Sequence, residues 1–151
     1  MAEIVSRQAA KVAAGTKMSP NEAYGRKRVV VITSPAAHAL AQNDTVASPV
    51  LLPVGTRFTC NSFVSCAAMG AGVTLDVGIR DANGVAIDAD GIAAAVDVAA
   101  AGRSALNNGA LVAAGAEYVT TVPCYVYATF GGANPTDNAQ FRIEVEVVTA
   151  D

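Results

Sequence analysis

The sequence of 151 residues contains no tryptophan, one histidine, three cysteines and few charged residues. Aromatic residues make up only 5% of it, although 52% of its residues are hydrophobic. Because alanine supplies much of that hydrophobic fraction, we expect a core of small side chains, each contributing less than the roughly 1.5–3 kcal/mol of a buried Val or Leu. A chain with so thin a core is expected to gain stability from oligomerisation or from a partner surface.

The scarcity of histidine and cysteine restricts the chemistry available to the chain. A Ser–His–Asp or Cys–His site would have to use His38, which lies in a loop of Pro and Ala with no motif around it. Three scattered cysteines and one histidine lack the paired spacing of a zinc site. An odd cysteine count is not a disulfide framework, so Cys60, Cys66 and Cys124 are expected to be small buried hydrophobic residues. The sequence therefore predicts no enzyme, no resident metal and no cofactor.

Four acidic residues are close together in the sequence, Asp81, Asp88, Asp90 and Asp97. Oxygen-rich loops can bind Ca²⁺, but Gly84 stands where an EF-hand loop needs a ligand. The plainer interpretation is that these acids solvate turns. The sequence alone leaves a calcium site in this region as an alternative.

Membrane and nucleic-acid partners are not expected. There is no run of about 18 apolar residues that would span a membrane. Arg7 and Lys11 interrupt the apolar residues of the first segment, so we expect no secretory signal peptide. The alternation of basic and aromatic residues that is typical of nucleic-acid binding is absent after residue 28.

The clearest structural pattern lies in residues 70–84, GAGVTLDVGIRDANG. Its apolar residues Val73, Leu75, Val77 and Ile79 alternate with small or charged ones, so they share one face of a strand and are expected to face a core. The residues DANG that follow predict a turn.

Further short segments with strand character are separated by turn residues, and no long helix lies between them. Residues 91–102 are expected to be a loop with one helical turn. This pattern predicts an all-β fold, an antiparallel β-sandwich that is jelly-roll-like. The other expected strands are residues 28–33, 48–52, 57–64, 85–87, 117–122, 124–130 and 140–148.

Tyr125 and Tyr127 share one face of their predicted strand. Exposed tyrosines on one face would suit a protein or sugar contact. The plainer interpretation packs both rings between the sheets, with their hydroxyl groups at the rim.

Charge divides the chain into an N-terminal arm and a body. Residues 1–28 hold six basic and two acidic residues, net +4, whereas residues 29–151 hold four arginines and eleven acids, net −7. We therefore predict an extended basic arm over residues 1–27, beginning with a short amphipathic helix, and a β-sandwich domain over residues 28–151. The arm is expected to dock on an acidic surface of a neighbour. The candidate contact residues are Arg7, Lys11, Lys17, Tyr24, Arg26, Lys27 and Arg28.

Two pieces of the chain resemble a family of known proteins. The first combines LPVGTR at residues 52–57 with GAGVTLDVG at residues 70–78 and a following Asp81. The second is PCYVYATFGGA at residues 123–133. Together they resemble the head decoration, or cement, proteins of tailed bacteriophages, which are small virion proteins. The resemblance covers residues 50–133, and its motifs are strands and turns.

The resemblance implies a non-enzymatic structural protein on the outer surface of a phage capsid, made in the cytoplasm of the host bacterium. Its partners would be the major capsid protein and further copies of itself, as a trimer in preference to a dimer. A different hypothesis is a carbohydrate- or receptor-binding β-module of a tail fibre. A third is a small β-sandwich hydrolase, which would lose activity on His38→Ala.

Overall fold

The computed structural model describes residues 7–17, 25–113 and 118–149 of the chain. These residues form nine strands and two short helices. The strands are β1 (Arg26–Thr33), β2 (Thr45–Ala47), β3 (Arg57–Phe58), β4 (Phe63–Cys66), β5 (Thr74–Asp81), β6 (Ala86–Asp97), β7 (Gly102–Ala105), β8 (Cys124–Gly131) and β9 (Phe141–Thr149), and the helices are α1 (Arg7–Ala13) and α2 (Ala110–Ala113). Within the described residues, no helix is long and apolar enough to cross a membrane.

The strands form two antiparallel sheets that enclose one core. Sheet A has the order β1-β9-β4-β7, with β3 pairing β9 beyond the end of β4. Sheet B has the order β2-β8-β5-β6. Apart from the short β3, this order is that of a jelly roll, in which most consecutive strands lie in opposite sheets; β5 and β6 are neighbours in sheet B. The predicted all-β, jelly-roll-like sandwich is confirmed.

The core is formed by every second residue along the strands. On β9, Ile143, Val145 and Val147 are fully buried between the sheets, while Arg142 and Glu144 point away from them. The predicted core face of residues 73–79 is likewise buried completely. The strands predicted over residues 124–130 and 140–148 are observed with ends shifted by about one residue, and β1 starts two residues before the predicted strand.

The expectation of a loop over residues 91–102 is wrong, because residues 86–97 form β6, the longest strand described. The short return strand expected at residues 85–87 is only its beginning. Pairing between β5 and β6 is irregular: Val77 faces Ala93, whereas Ile79 faces Asp88. The extra residues of β6 bulge out of the sheet, and a bulge disrupts the alternation on which the prediction of a strand depends.

The prediction of a strand over residues 48–52 is also wrong. The strand β2 ends at residue 47, and Leu52 makes only an isolated bridge with Cys124. Pro49 and Pro53 lack the backbone N–H that a continuous ladder requires, which explains the interruption.

The single strand predicted over residues 57–64 is two strands, β3 and β4. Between them, Thr59 donates its backbone N–H to the Glu146 carbonyl, and the Ser62 hydroxyl accepts the N–H of Glu146. A side chain thus replaces one backbone partner, and the regular ladder is lost. A single strand would place Phe58, Cys60, Ser62 and Val64 on one face, but Phe58, Ser62 and Val64 are buried and Cys60 is exposed.

The strand predicted over residues 117–122 is wrong for its described part, residues 118–122. Thr120 exchanges hydrogen bonds with Thr56 instead of joining a sheet: the N–H of Thr120 donates to the Thr56 carbonyl, and its hydroxyl accepts the N–H of Thr56. Both threonines are buried. Residue 117 lies outside the described residues.

Leu75→Ala is expected to lower the free energy of unfolding by about 2–4 kcal/mol. Leu75 is fully buried and lies between Phe130 of β8 and Val96 of β6, so its removal leaves a cavity in the middle of sheet B. Urea unfolding of the two proteins measures the loss. A loss under about 1 kcal/mol would contradict a central position for β5 in the core.

Candidate partner-binding surfaces

The predicted basic contact residues fall on two elements. Arg26, Lys27 and Arg28 begin β1 and are exposed. Lys11 lies on α1, and Lys17 follows that helix and is exposed. The structure therefore gathers three of the seven residues on one edge strand.

The structure describes less of the other two predicted contact residues. Arg7 starts α1, but its side chain is outside what the structure describes, and Tyr24 lies outside the described residues. The role of the seven residues in binding, like the division of the chain at residue 28, stays a prediction.

Lys27 takes part in a polar cluster on the outer face of sheet A. Its Nζ lies 3.2 Å from Oε1 of Glu146. The Thr59 hydroxyl and the Asn61 amide donate to the same oxygen, at 2.7 and 3.1 Å. The hydrogen bonds from Thr59 and Asn61, with a smaller contribution from Lys27, hold the pKa of Glu146 below its usual value. This cluster ties β1, β9 and the β3–β4 connection together.

Glu146→Ala is expected to lower the free energy of unfolding by about 1–2 kcal/mol at pH 7, because three donors lose their acceptor. A carboxyl group whose pKa is lowered in the folded protein stabilises it above the unfolded-state pKa, and that contribution is lost as the pH falls through the lowered value. The difference between variant and parent should therefore shrink at pH 3. Urea unfolding at both pH values tests this, with Glu144→Ala as the control. An equal difference at both pH values would contradict the assignment.

The rest of that outer face carries two further arginines. The guanidinium of Arg103 stacks on the ring of Phe63, with Cζ 3.7 Å from the ring centroid. Arg142 pairs with Glu144 on the same strand. Ser65 lies between the two arginines in the sheet register. These residues line or border an open depression of about 590 Å³, so the face offers cations and one aromatic ring to a partner.

The outer face of sheet B has the opposite charge. Asp76 accepts the N–H of Ala95 in β6, at 2.6 Å. Asp88 and Asp90 lie on the β6 bulge, and burial together with the neighbouring Asp90 raises the pKa of Asp88. Arg80 is the one basic residue of β5. In the described part of the chain, no group of three or more acidic, Cys or His side chains is arranged to hold a metal ion.

The tyrosine pair lies on this same outer face, and not between the sheets. Val126, Ala128 and Phe130 occupy the inner face of β8 and are buried. Tyr127 is nevertheless covered, because it lies beside Gly78 and under the guanidinium of Arg80, 5.5 Å from its ring centroid. Only Tyr125 is partly accessible. The packing of both rings between the sheets, expected as the plainer interpretation, is therefore wrong.

His38 is held in the loop between β1 and β2. Its Nε2 lies 2.9 Å from the Ala139 carbonyl, and its ring meets the edge of Phe141 with centroids 6.1 Å apart. Its backbone N–H donates to Asn138. These contacts fasten the loop to the start of β9, which gives the histidine a packing role.

The three cysteines have three different environments. Cys60 is exposed, Cys66 is half-buried and Cys124 is fully buried. The expectation that all three are buried is therefore right for Cys124 and wrong for Cys60, because the β3–β4 interruption turns Cys60 outward. Burial raises the pKa of the Cys66 thiol and raises that of Cys124 to about 11.

A thiol reagent at pH 8 is expected to label the folded protein in steps. Cys60 should react fast, Cys66 more slowly, and Cys124 only after unfolding, because the thiolate is the reactive form and burial suppresses both access and ionisation. Mass spectrometry of the labelled peptides over time measures this. Cys60→Ser should remove the fast phase alone. Equally fast labelling of Cys124 and Cys60 would contradict the described packing.

Comparison with known proteins places this fold. No protein-family model and no curated protein matches the sequence. The structure is similar to a chain of the cyanophage Pam1 capsid asymmetric unit, with a TM-score of 0.57 and 16% identity over 91% of this chain and 95% of that one. It is also similar to a chain of the capsid of Ralstonia phage GP4, with a TM-score of 0.63 and 16% identity over 88% and 91% of the two chains.

At this level of identity, the likeness establishes a shared fold. The protein is an antiparallel β-sandwich with jelly-roll strand order. The same sandwich, at nearly the same chain length, is present in the capsids of two phages.

Proposed function

We propose that this chain is a non-enzymatic structural protein of a phage virion. It binds the outer surface of the capsid and cements neighbouring major capsid protein subunits, with which it assembles alongside further copies of itself. The observation that carries the proposal is the fold shared with chains of two phage capsids over about nine-tenths of each chain. The resemblance of residues 50–133 to head decoration proteins supports the same assignment.

Charge and shape support a role in binding. The N-terminal arm is basic and the body acidic, so the arm is suited to an acidic neighbour. The outer face of sheet A presents Arg103, Phe63 and Arg142, a mixture of cationic and aromatic groups that is common at protein interfaces. A small sandwich of this kind supplies surface rather than chemistry.

Jelly rolls also occur in lectins, so the fold alone does not separate capsid binding from carbohydrate binding. The sugar-binding hypothesis depended on an exposed pair, Tyr125 and Tyr127. Since Tyr127 is covered beside Arg80, a single partly exposed ring is left. This observation favours the capsid.

The test uses heads of the phage that encodes the chain, assembled without it. Purified protein is mixed with these heads and sedimented. We expect saturable binding, and we expect decorated heads to withstand heating better than bare ones, because a bound protein stabilises the state that it binds. Failure to bind heads, or recovery of the protein only with tails, would contradict the proposal.

A further inference from the structure

Exposed apolar side chains are concentrated at one end of the sandwich. Among the described residues, eight large apolar side chains are exposed, and six of them lie at this end. We name these six the apolar end: Val50, Leu51, Val54, Val85, Ile87 and Val122, of which Val54 is 53% exposed and Val122 is 44% exposed.

The strand register brings these six residues together from three loops. Asp81, the last residue of β5, faces Cys124, the first residue of β8. Leu52 bridges to the same Cys124. The turn after β5, the loop of residues 48–56 and the residues before β8 therefore all project beyond the same end of sheet B.

At the opposite end of the sandwich, the loops carry no large exposed apolar side chain among the described residues. Two of them, residues 34–44 and 131–140, are joined by side-chain hydrogen bonds. Asn134 accepts the N–H of Gln42, and the Ser34 hydroxyl donates to Gln140. None of the eight exposed apolar side chains lies in these loops. Because the apolar side chains are confined to one end, they are typical of an interaction surface, unlike scattered single residues.

The loop that carries Val54 is held in place. The Pro53 carbonyl accepts hydrogen bonds from the hydroxyls of Thr56 and Thr120, at 2.7 and 3.1 Å. The N–H of Gly55 donates to the Thr120 carbonyl, at 2.9 Å. A surface fixed in this way loses little conformational entropy on binding.

Basic residues accompany the apolar end. Arg26 pairs with Thr149 and Arg57 with Val148, which places the start of β1 and β3 at the same end of sheet A. The chain enters the sandwich at this end, at Arg26.

Two carboxylates are also near this end. Asp81 accepts the N–H groups of Asn83 and Val85 in its own turn, and Asp88 follows Ile87. The two carboxylates are fewer than the basic residues at the same end, Arg26, Lys27, Arg28 and Arg57.

Charge decides which partner fits this end. A second copy docked end to end would bring the two basic clusters together, because a twofold contact places the same patch on both sides. A partner with an apolar surface and an acidic rim would complement both the apolar side chains and the basic residues of this end.

We propose that the apolar end is the surface by which the chain docks on the capsid shell, at an apolar site rimmed by acidic side chains. This inference rests on the proposed function and assigns the contact to one end of the sandwich. The arm and the apolar end would then meet the shell on the same side.

The test compares three single variants of the full chain. Leu51→Asp and Val54→Asp place a charge at the apolar end. Ala37→Asp is the matched control, because Ala37 is exposed and lies in the loop of residues 34–44 at the opposite end of the sandwich. Thermal unfolding confirms that each variant folds. Sedimentation with bare heads should show binding at least about tenfold weaker for the two end variants, as for residues central to an interface, and nearly unchanged for the control.

The outcomes separate this inference from the proposed function. Equal binding by all three variants and the parent would overturn the docking surface while leaving capsid binding intact. No binding by the parent would overturn both. A loss of self-association in the end variants, with head binding unchanged, would assign the apolar end to a second copy and overturn the inference.

Discussion

A protein that lacks residues 2–25 is expected to keep the folded sandwich and to bind phage heads at least about tenfold more weakly than the intact chain. The removed segment contains Arg7, Lys11 and Lys17 against Glu3 and Glu22, a net charge of +1, whereas the described sheets begin at Arg26. Because the core is formed by residues after 29, the melting temperature of the truncated protein should change little. The binding loss should come from the missing positive charge and the missing apolar residues of the segment.

Salt distinguishes these two contributions. Ionic contacts near a surface weaken as the Debye length falls from about 10 Å at 0.1 M to about 3 Å at 1 M, while apolar burial does not. The intact protein should therefore detach partly from heads at 1 M salt, and the truncated protein should be less sensitive to salt.

A variant with reversed charges separates the effect of the segment's charge from the effect of removing the segment. With Glu in place of Arg7, Lys11 and Lys17, the segment is retained but its attraction to an acidic surface is lost. This variant should bind at least as weakly as the truncated protein at low salt, because the acidic surface now repels the segment. Equal binding by all three proteins would show that the body alone makes the contact.

Gly78→Ala is expected to cost about 4 kcal/mol or more, a large share of the stability of a domain of this size. A Cβ atom at this position would collide with the backbone of Asp88 and Ala89, where the β6 bulge crosses the sheet. Backbone atoms cannot swing away as a flexible side chain can, so either the bulge or the β5–β6 pairing must move. Urea unfolding measures the cost, and a poor yield of soluble protein would agree with it.

Gly84→Ala is the comparison that isolates this cause. Gly84 has a φ of 85°, and a Cβ there would meet no atom within 4 Å. Its cost should be only the roughly 1–2 kcal/mol of a left-handed alanine. A cost for Gly78→Ala no larger than that for Gly84→Ala would contradict the close contact between β5 and the β6 bulge.

Regular alternation made part of the fold predictable from sequence. Residues 73–79 and β9 expose one face to the core along their whole length, and both patterns gave the correct strand and the correct buried face. The small number of helical segments and the frequent turns then sufficed for the sandwich class. Each of these signals is local in the chain.

Two of the errors have non-local causes. The course of β6 depends on Gly78, ten residues before Asp88 of the bulge that contacts it. Thr120 forms hydrogen bonds with Thr56, which is distant in sequence, and so does not form a strand. Such pairings appear only when the chain is folded, so a search for alternation cannot reveal them.

One of the candidate surfaces was likewise predictable from the sequence, and the other was not. The basic residues at the start of β1 were visible as a charge asymmetry. The apolar end was not, because Val54 and Val122 come from separate loops and resemble ordinary core residues in the sequence. Their exposure follows from the register between residues 52 and 124.

We propose above that the chain binds the outside of a phage capsid. Electron cryomicroscopy of heads from the encoding phage, with and without this chain, tests it most directly. We expect difference density on the outer surface between neighbouring capsid subunits, with the size of a 15.2 kDa sandwich and with its apolar end against the shell. Difference density inside the shell or in the tail, or no difference at all, would contradict it.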